Sequence, residues 1–433
     1  MISNIILILF LISLIICIVL NIDVLFAITF GMFLFFIYSI IMGNSFKKTV
    51  MLMIKGISKS KNVLIIFILI GILTASWRMS GTIAYIIYNI VPIVNPSIFI
   101  LSTFLLCCLM SMLIGTSLGA AASMGVICMV ISKSMGMNET FIGGAVLSGI
   151  YLGDRTSPMS SSATLVVALT NTNLYTNVKN MIKSAVVPFI ITCILYFLLG
   201  LSNNSTSMDM SILSIFSDNY NLSFVLIIPA LIVVIMSLFK IDVKIVMLLS
   251  SLIAMILAFS YQNIGIYDIL NVSVFGYSSS NEQLAILMNG GGLVSMIRAS
   301  LMITISSTYF GIFEETPILL PIQDLVIKIK DKFTLFGAMI FTGMVTSAIA
   351  CNQSLAVMLT YQITKDMKTD DYNHALDLEN TAILLPTLMP WNIAAAIPMA
   401  TVGFSSASCL FAFFAYIVPI YIFMKRLKFS KSS

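Results

Sequence analysis

Apolar residues fill long stretches of this chain, and short polar turns separate them. The runs predict helices near 4–20, 23–43, 62–79, 81–113, 140–170, 182–201, 222–239, 243–261, 299–313, 334–362, 376–397 and 400–424. A helix that crosses a bilayer needs about 20 apolar residues. Lipid offers no water to backbone amides, so each spanning segment must satisfy its own hydrogen bonds. A membrane barrel would alternate apolar and polar residues in segments of about ten, and that alternation is missing here. The pattern therefore predicts an all-α, polytopic transmembrane helix bundle. Several runs are too long or too interrupted for one simple span, and these predict broken helices or re-entrant hairpins.

Composition narrows the class further. The chain has 433 residues, 59% hydrophobic and 9% charged, with a mean hydropathy of +1.08. Soluble domains carry about 25% charged residues, and a soluble fold of this composition would expose large apolar patches. The lipid bilayer is thus the first partner. The opening run Ile5–Leu20 has no basic segment before it and no small-residue cleavage site, so it reads as a retained helix. Cys17, Cys107, Cys108, Cys128, Cys193, Cys351 and Cys409 sit mostly in apolar runs, without metal or disulfide spacing. They read as small packed hydrophobes. There is no GxxxxGK[ST] phosphate loop and hence no sign of direct ATP coupling.

The net charge of +5 does not imply nucleic acid, because the basic residues flank helices, where membrane orientation explains them. Lys47, Lys48, Lys55, Lys59 and Lys61 fall in 44–61, Lys240 and Lys244 in a short turn, and Lys425, Arg426, Lys428 and Lys431 in the tail. The positive-inside rule puts these regions, and both termini, on the cytoplasmic side of a cytoplasmic membrane. The stretches 202–221 (Asp209, Asp218) and 262–283 (Asp268, Glu282) lack lysine and read as external. Two halves of the same plan and opposite orientation follow: residues 1–201, an external linker at 202–221, and 222–433. Inverted repeats of this kind build many secondary transporters. Local echoes agree: "IGTSLGAAASMG" at 114–125 faces "ACNQSLAVMLTY" at 350–361, and "GIYLGDRTSPMSS" at 149–161 faces "ENTAILLPTLMPWN" at 379–392.

Ionisable groups within apolar runs are costly and point to function. Asp154 and Arg155 lie in such a run, with Gly149 and Gly153 before them and Pro158 after. Glycine and proline both weaken helices. The expected break, with the hydroxyls of Thr156, Ser157, Ser160, Ser161, Ser162 and Thr164, would form a polar pocket. Glu379, Asn380, Thr381 and Asn392 stand at the matching place in the second half. Thr116 and Ser117, and opposite them Asn352, Gln353 and Ser354, mark two candidate re-entrant hairpins. Each has a plain structural reading as well. Asp154 could cap a polar surface turn, Glu379 could complement a helix dipole, and the small residues of 114–125 could serve close packing. Arg78, Arg298, Glu314 and Glu315 read as side chains that snorkel to an interface, and His374 as a loop residue.

At these blocks the sequence resembles the NhaC-type sodium/proton antiporter family. The likeness spans about residues 62–424 and rests on "GILTASWRMSGTIAYIIY", "IGTSLGAAASMGV", "LSGIYLGDRTSPMS", "GGGLVSM" and "DLENTAILLPTLMPWN", with GDRTSPMS and MPWN the specific ones. It implies a sodium/proton antiporter fold. Two carboxylates of the family pattern are replaced here, by Ser161 and Asn380, and the family's asparagine by Thr164.

Sodium prefers carboxylate, hydroxyl and carbonyl oxygens. The expected sodium set is Asp154, Ser157, Ser161 and Thr164, with Arg155 as a neighbouring charge. A carboxylate withdrawn from water binds protons more tightly, so one such group can carry either a proton or a cation. Sodium and protons are then the coupled ions, and no cofactor is called for. The alternative is a transporter of a small organic acid or amino acid, with Arg155 binding its carboxylate. An enzyme would need a nucleophile–base pair or a metal cluster, and neither is visible. A homodimer is compatible with this reading, though no segment identifies an interface.

Overall fold

The computed structural model describes residues 2–20, 22–202, 211–239, 241–319, 322, 325–329, 334–367 and 370–430. Asp209, Lys240 and Lys431 lie outside these residues, as does much of the 202–221 linker. Among the described residues the chain is helical throughout, with one isolated β-bridge between Tyr277 and Gly290. Seven helices are long and apolar enough to cross a membrane, or up to nine if each of two bent pairs counts as one span. The protein is a multi-pass membrane protein of the all-α class.

Most predicted runs become helices with local reasons for their ends. Val24–Ile41 begins at Asp23, whose side chain caps Leu25 N–H. Pro96–Ile114 opens with Asn95 as its cap and proline in its first turn, where proline loses no intrahelical hydrogen bond. The run 81–113 divides into Thr82–Ile90 and Pro96–Ile114. The segment 44–61, read as a basic loop, is instead the helix Phe46–Lys59. Lys47, Lys48 and Lys55 are exposed, while Thr49, Leu52 and Gly56 are buried. Gly56 packs on the backbone of Ser307, which a Cβ would meet at 2.1 Å. A span-length apolar window misses such a helix because only one face of it is apolar. His374 is likewise not a loop residue. It is buried in the helix Asp371–Asn380, with Nε2 2.8 Å from Thr364 Oγ1.

Two breaks repeat the same backbone turn. Pro96–Ile114 ends on Gly115 in the left-handed region (φ 74°), and extended Thr116 (φ −140°, ψ 132°) then caps the next helix. Leu335–Ala350 ends on left-handed Cys351 (φ 53°), and extended Asn352 (φ −142°, ψ 130°) caps Gln353–Thr364. The side-chain caps are Thr116 Oγ1 to Gly119 N–H and Asn352 Oδ1 to Ser354 N–H.

The glycines before Asp154 do not break the helix. Glu139–Thr156 runs through Gly149 and Gly153 and stops at Ser157, before Pro158. A Cβ on Gly153 would come within 2.4 Å of Ser111 and 2.5 Å of the Met112 nitrogen, and one on Gly149 within 2.7 Å of the Phe104 carbonyl. These glycines let Glu139–Thr156 lie against Pro96–Ile114 at backbone distance, the usual role of small residues in lipid.

Candidate functional site

Asp154 sits in the last turn of Glu139–Thr156 and is 2% exposed. Ser160 Oγ donates to Oδ1 at 3.1 Å and Ser162 Oγ donates to Oδ2 at 2.7 Å. The Gln353 side chain, which donates to the Ile383 carbonyl at 2.9 Å, and the Ser117 backbone lie close to it. The tight turn between the two helices makes this possible: Pro158 forbids helix continuation, and Ser160 caps Ser161–Thr170 by accepting from Ser162 and Ala163 N–H.

A cavity of about 200 Å³ opens beside this carboxylate. Thr116, Ser117, Tyr151, Ser161, Ser162, Asn352, Gln353 and Ser354 supply its polar wall, and Ile393 and Ala394 part of the apolar one. It extends to Gly56, Ser60 and Ser307 at the junction of Phe46–Lys59 with Lys61–Met79, where Ser60 and Ser307 hydrogen-bond. Four helical segments begin at its wall, starting at Ser117, Ser161, Gln353 and Ile393. Helix N-termini carry partial positive charge, so the chamber stabilises negative charge even without a bound cation.

Arg155, the next residue, points elsewhere. Its Nη2 donates to Ser184 Oγ at 2.7 Å and to Asn380 Oδ1. Glu379 is fully buried and electrostatically close to both Arg155 and Asp154, and neither of its carboxylate oxygens has a hydrogen-bond partner. Arg155, Glu379 and Asn380 form a buried joint between the two halves of the chain, and none of them lines the Asp154 cavity.

The sequence-predicted residues therefore divide. Asp154, Ser160, Ser161, Thr116, Ser117, Asn352, Gln353 and Ser354 come together at or beside the chamber. Ser157 and Thr164, expected as sodium ligands, do not line it. Ser157 Oγ donates to the Met112 carbonyl at 2.9 Å, and Thr164 Oγ1 to the Ser160 carbonyl at 2.8 Å. Thr156 and Thr381 bond the Leu152 and Asp377 carbonyls, and Asn392 holds the Ser347 carbonyl and caps Ala394. A hydroxyl one turn into a helix usually bonds the carbonyl four residues back, which the spacing Ser160–Thr164 foretells. Ser160 and Ser162 are the serines that reach Asp154, and both were absent from the expected sodium set. Tyr151, Ser60 and Ser307 were also missed. The helical spacing of Tyr151 and Asp154 could have found the first, because residues three apart share a face.

The other flagged charges also separate. Arg298 pairs with Asp23 at 2.8 Å and Lys55 with Glu314 at 3.1 Å. Arg78 is not at an interface: it is 7% exposed, with Nη1 donating to the Thr74 carbonyl at 2.9 Å. Among the described residues, no group of three or more His, Cys, Asp or Glu side chains could hold a metal ion.

Comparison with known proteins agrees with this architecture. The sequence profile of the Na+/H+ antiporter family matches residues 149–426. An "Uncharacterized Na(+)/H(+) antiporter" of Haemophilus influenzae is 27% identical over 371 residues, 82% of this chain and 79% of the relative. A malate-2H(+)/Na(+)-lactate antiporter of Bacillus subtilis is 25% identical over 392 residues, 87% and 83% of the two chains. The Na(+)/H(+) antiporter NhaC of Alkalihalophilus pseudofirmus is 26% identical over 378 residues, 85% and 82%. The profile match covers the Asp154 turn, the Asn352 hairpin and the Arg155–Asn380 joint, and the chain belongs to the Na+/H+ antiporter family.

Proposed function

We propose that this protein exchanges sodium, or another monovalent cation, for protons across the cytoplasmic membrane by alternating access. The observation that carries the reading is Asp154: a buried carboxylate held by two serine hydroxyls at the inner end of a polar cavity. Its oxygens, with Ser161, Ser162, Thr116 and Gln353 nearby, suit a hard monovalent cation. A proton or a cation neutralises the carboxylate, and the neutral chamber can then change its access. An empty, charged chamber resists that change, because a bare carboxylate is costly to carry through apolar surroundings. Arg155 acts from behind by fixing the end of its helix to Ser184 and Asn380.

The chamber reaches the junction near Ser60, next to the lysine-bearing helix Phe46–Lys59. By the positive-inside rule this side is cytoplasmic, and the conformation is inward-open. The paired turns at Gly115–Thr116 and Cys351–Asn352 support a reading of residues 1–201 and 222–433 as inverted repeats.

The test is proton flux in proteoliposomes carrying an internal pH dye. Alkalinisation of an acid-loaded lumen on adding sodium or lithium, lost in Asp154→Asn, supports exchange. A second reading, coupled transport of a small organic acid, is favoured by the four helix N-termini at the chamber and by the substrates named for the Bacillus subtilis malate/lactate relative. A response to malate or lactate without any response to cations would select it.

A further inference from the structure

A second polar cavity, of about 170 Å³, lies at the far ends of the helices that wall the Asp154 chamber. Lys61–Met79 contributes Val63 and Ile66 to the chamber but Thr74 and Arg78 to this cavity. The apolar stretch Ser117–Ser134 contributes Ser117 to one and Lys133 to the other, and Ile393–Val402 contributes Ile393 and Thr401. All three run from chamber to cavity in chain order. Ile66 and Arg78 are about 18 Å apart at the helical rise, more than half of the roughly 30 Å hydrocarbon layer. The two cavities therefore lie toward opposite ends of these helices, and on the transporter reading they face opposite sides of the membrane.

Arg78 is the unusual group here. A guanidinium has five donors and is always charged. Among the described residues Arg78 makes one hydrogen bond, from Nη1 to the Thr74 carbonyl, and Nε is buried without a partner. Arg155 has Glu379 beside it, but among the described residues no carboxylate pairs with Arg78, and the buried phenol of Tyr220 is its neighbour. Removing a charge from water without a counter-ion costs several kcal/mol. Thr401 Oγ1, on the same cavity wall, is also buried and unpartnered. Lys133 adds a second cation, offset by the half-exposed Glu139 at 3.4 Å. Around one polar space stand a buried cation with no counter-ion and an unused hydroxyl, with a second, paired cation beside them.

We infer that this cavity binds a small anion, a short carboxylate or a halide, between Arg78, Lys133 and Thr401. Its place on an ion path rests on the transporter reading, while anion binding there stands apart from that reading. An anion held at Arg78 would remove the positive charge that a cation must pass on its way to Asp154. The same site would receive the carboxylate of an organic acid.

The test is calorimetric titration of the purified protein, in nanodiscs of zwitterionic lipid and without sodium, with chloride, acetate, lactate and malate. At least one should bind saturably. Arg78→Gln should weaken that binding about tenfold or more, the factor one charge-assisted hydrogen bond carries, and Arg78→Lys should restore part of it. Asp154→Asn should leave it unchanged. No saturable binding of any of the four, or equal binding by Arg78→Gln, overturns the inference. If Arg78→Gln does not fold, Lys133→Gln and Thr401→Val decide, and unaltered binding in both overturns it. Arg78-dependent binding in a protein that exchanges no cation would leave this inference standing and remove the antiport reading.

Discussion

Replacing Asp154 by asparagine preserves shape and removes charge. The amide is isosteric, its oxygen can still accept from one serine, and the Ser160 and Ser162 hydroxyls can rotate to suit. Folding should survive, which thermal melting of the purified variant checks. Transport should not. A carboxylate and a cation 4 Å apart attract by about 4 kcal/mol at an effective dielectric of 20, and Asp154, 2% exposed, has no bulk water to weaken this further. Retaining only about 2 kcal/mol of that would still mean a roughly 30-fold loss of cation affinity. On the proposed mechanism the variant also lacks the group that carries the proton, so exchange should fall to the level of empty liposomes. The assay is dye-reported proton flux on a sodium or lithium pulse, over a range of cation concentrations. Half-saturation within twofold of wild type at an unchanged rate would refute the reasoning, and the cation would have to bind elsewhere.

Other outcomes follow from the same geometry. Ser162→Ala removes a 2.7 Å bond to the carboxylate and should raise the half-saturating sodium concentration by about tenfold. Thr164→Val, which loses only a bond to the Ser160 carbonyl, should change it less than twofold in the same flux assay. Gly153→Ala puts a Cβ within 2.5 Å of the Met112 backbone, where no flexible side chain can yield. It should cost about 1–3 kcal/mol or more, read as a lower melting temperature. Asp377→Asn strips the partner from Arg426, a pair 2% and 32% exposed at the side chain. It should destabilise by about 2–3 kcal/mol, below the range for fully buried pairs because Arg426 reaches solvent.

Apolar run length made the spans legible, because the bilayer imposes a length on every helix. The Asp154 break was legible too, since proline and clustered hydroxyls beside a charge have few other uses in lipid. Side-chain destinations were harder to read. Ser161, Ser162 and Thr164 look alike as letters, yet only Ser162 reaches the carboxylate: Ser161, in the same first turn, is exposed, and Thr164 bonds back to the Ser160 carbonyl. Gly149 and Gly153 suggested a break, but the helix they face makes them contact points. Phe46–Lys59 was hidden because its lysines dilute a one-sided apolar face. Arg78 read as a surface charge because its run ends three residues before Thr82–Ile90 begins, and only the packed structure shows what covers it.

Asp154 and Arg155 are neighbours on one helical turn, yet they serve different compartments. Successive helical residues diverge by about 100°, so one reaches the chamber while the other grips Ser184 and Asn380. The two side chains share a rigid stem. Any tilt of that helix end that reshapes the chamber must also pull on the second half of the chain. On the proposed mechanism the pair would work as a two-armed lever with its pivot in the backbone, and its stiffness would set how strongly occupancy on one arm is felt on the other.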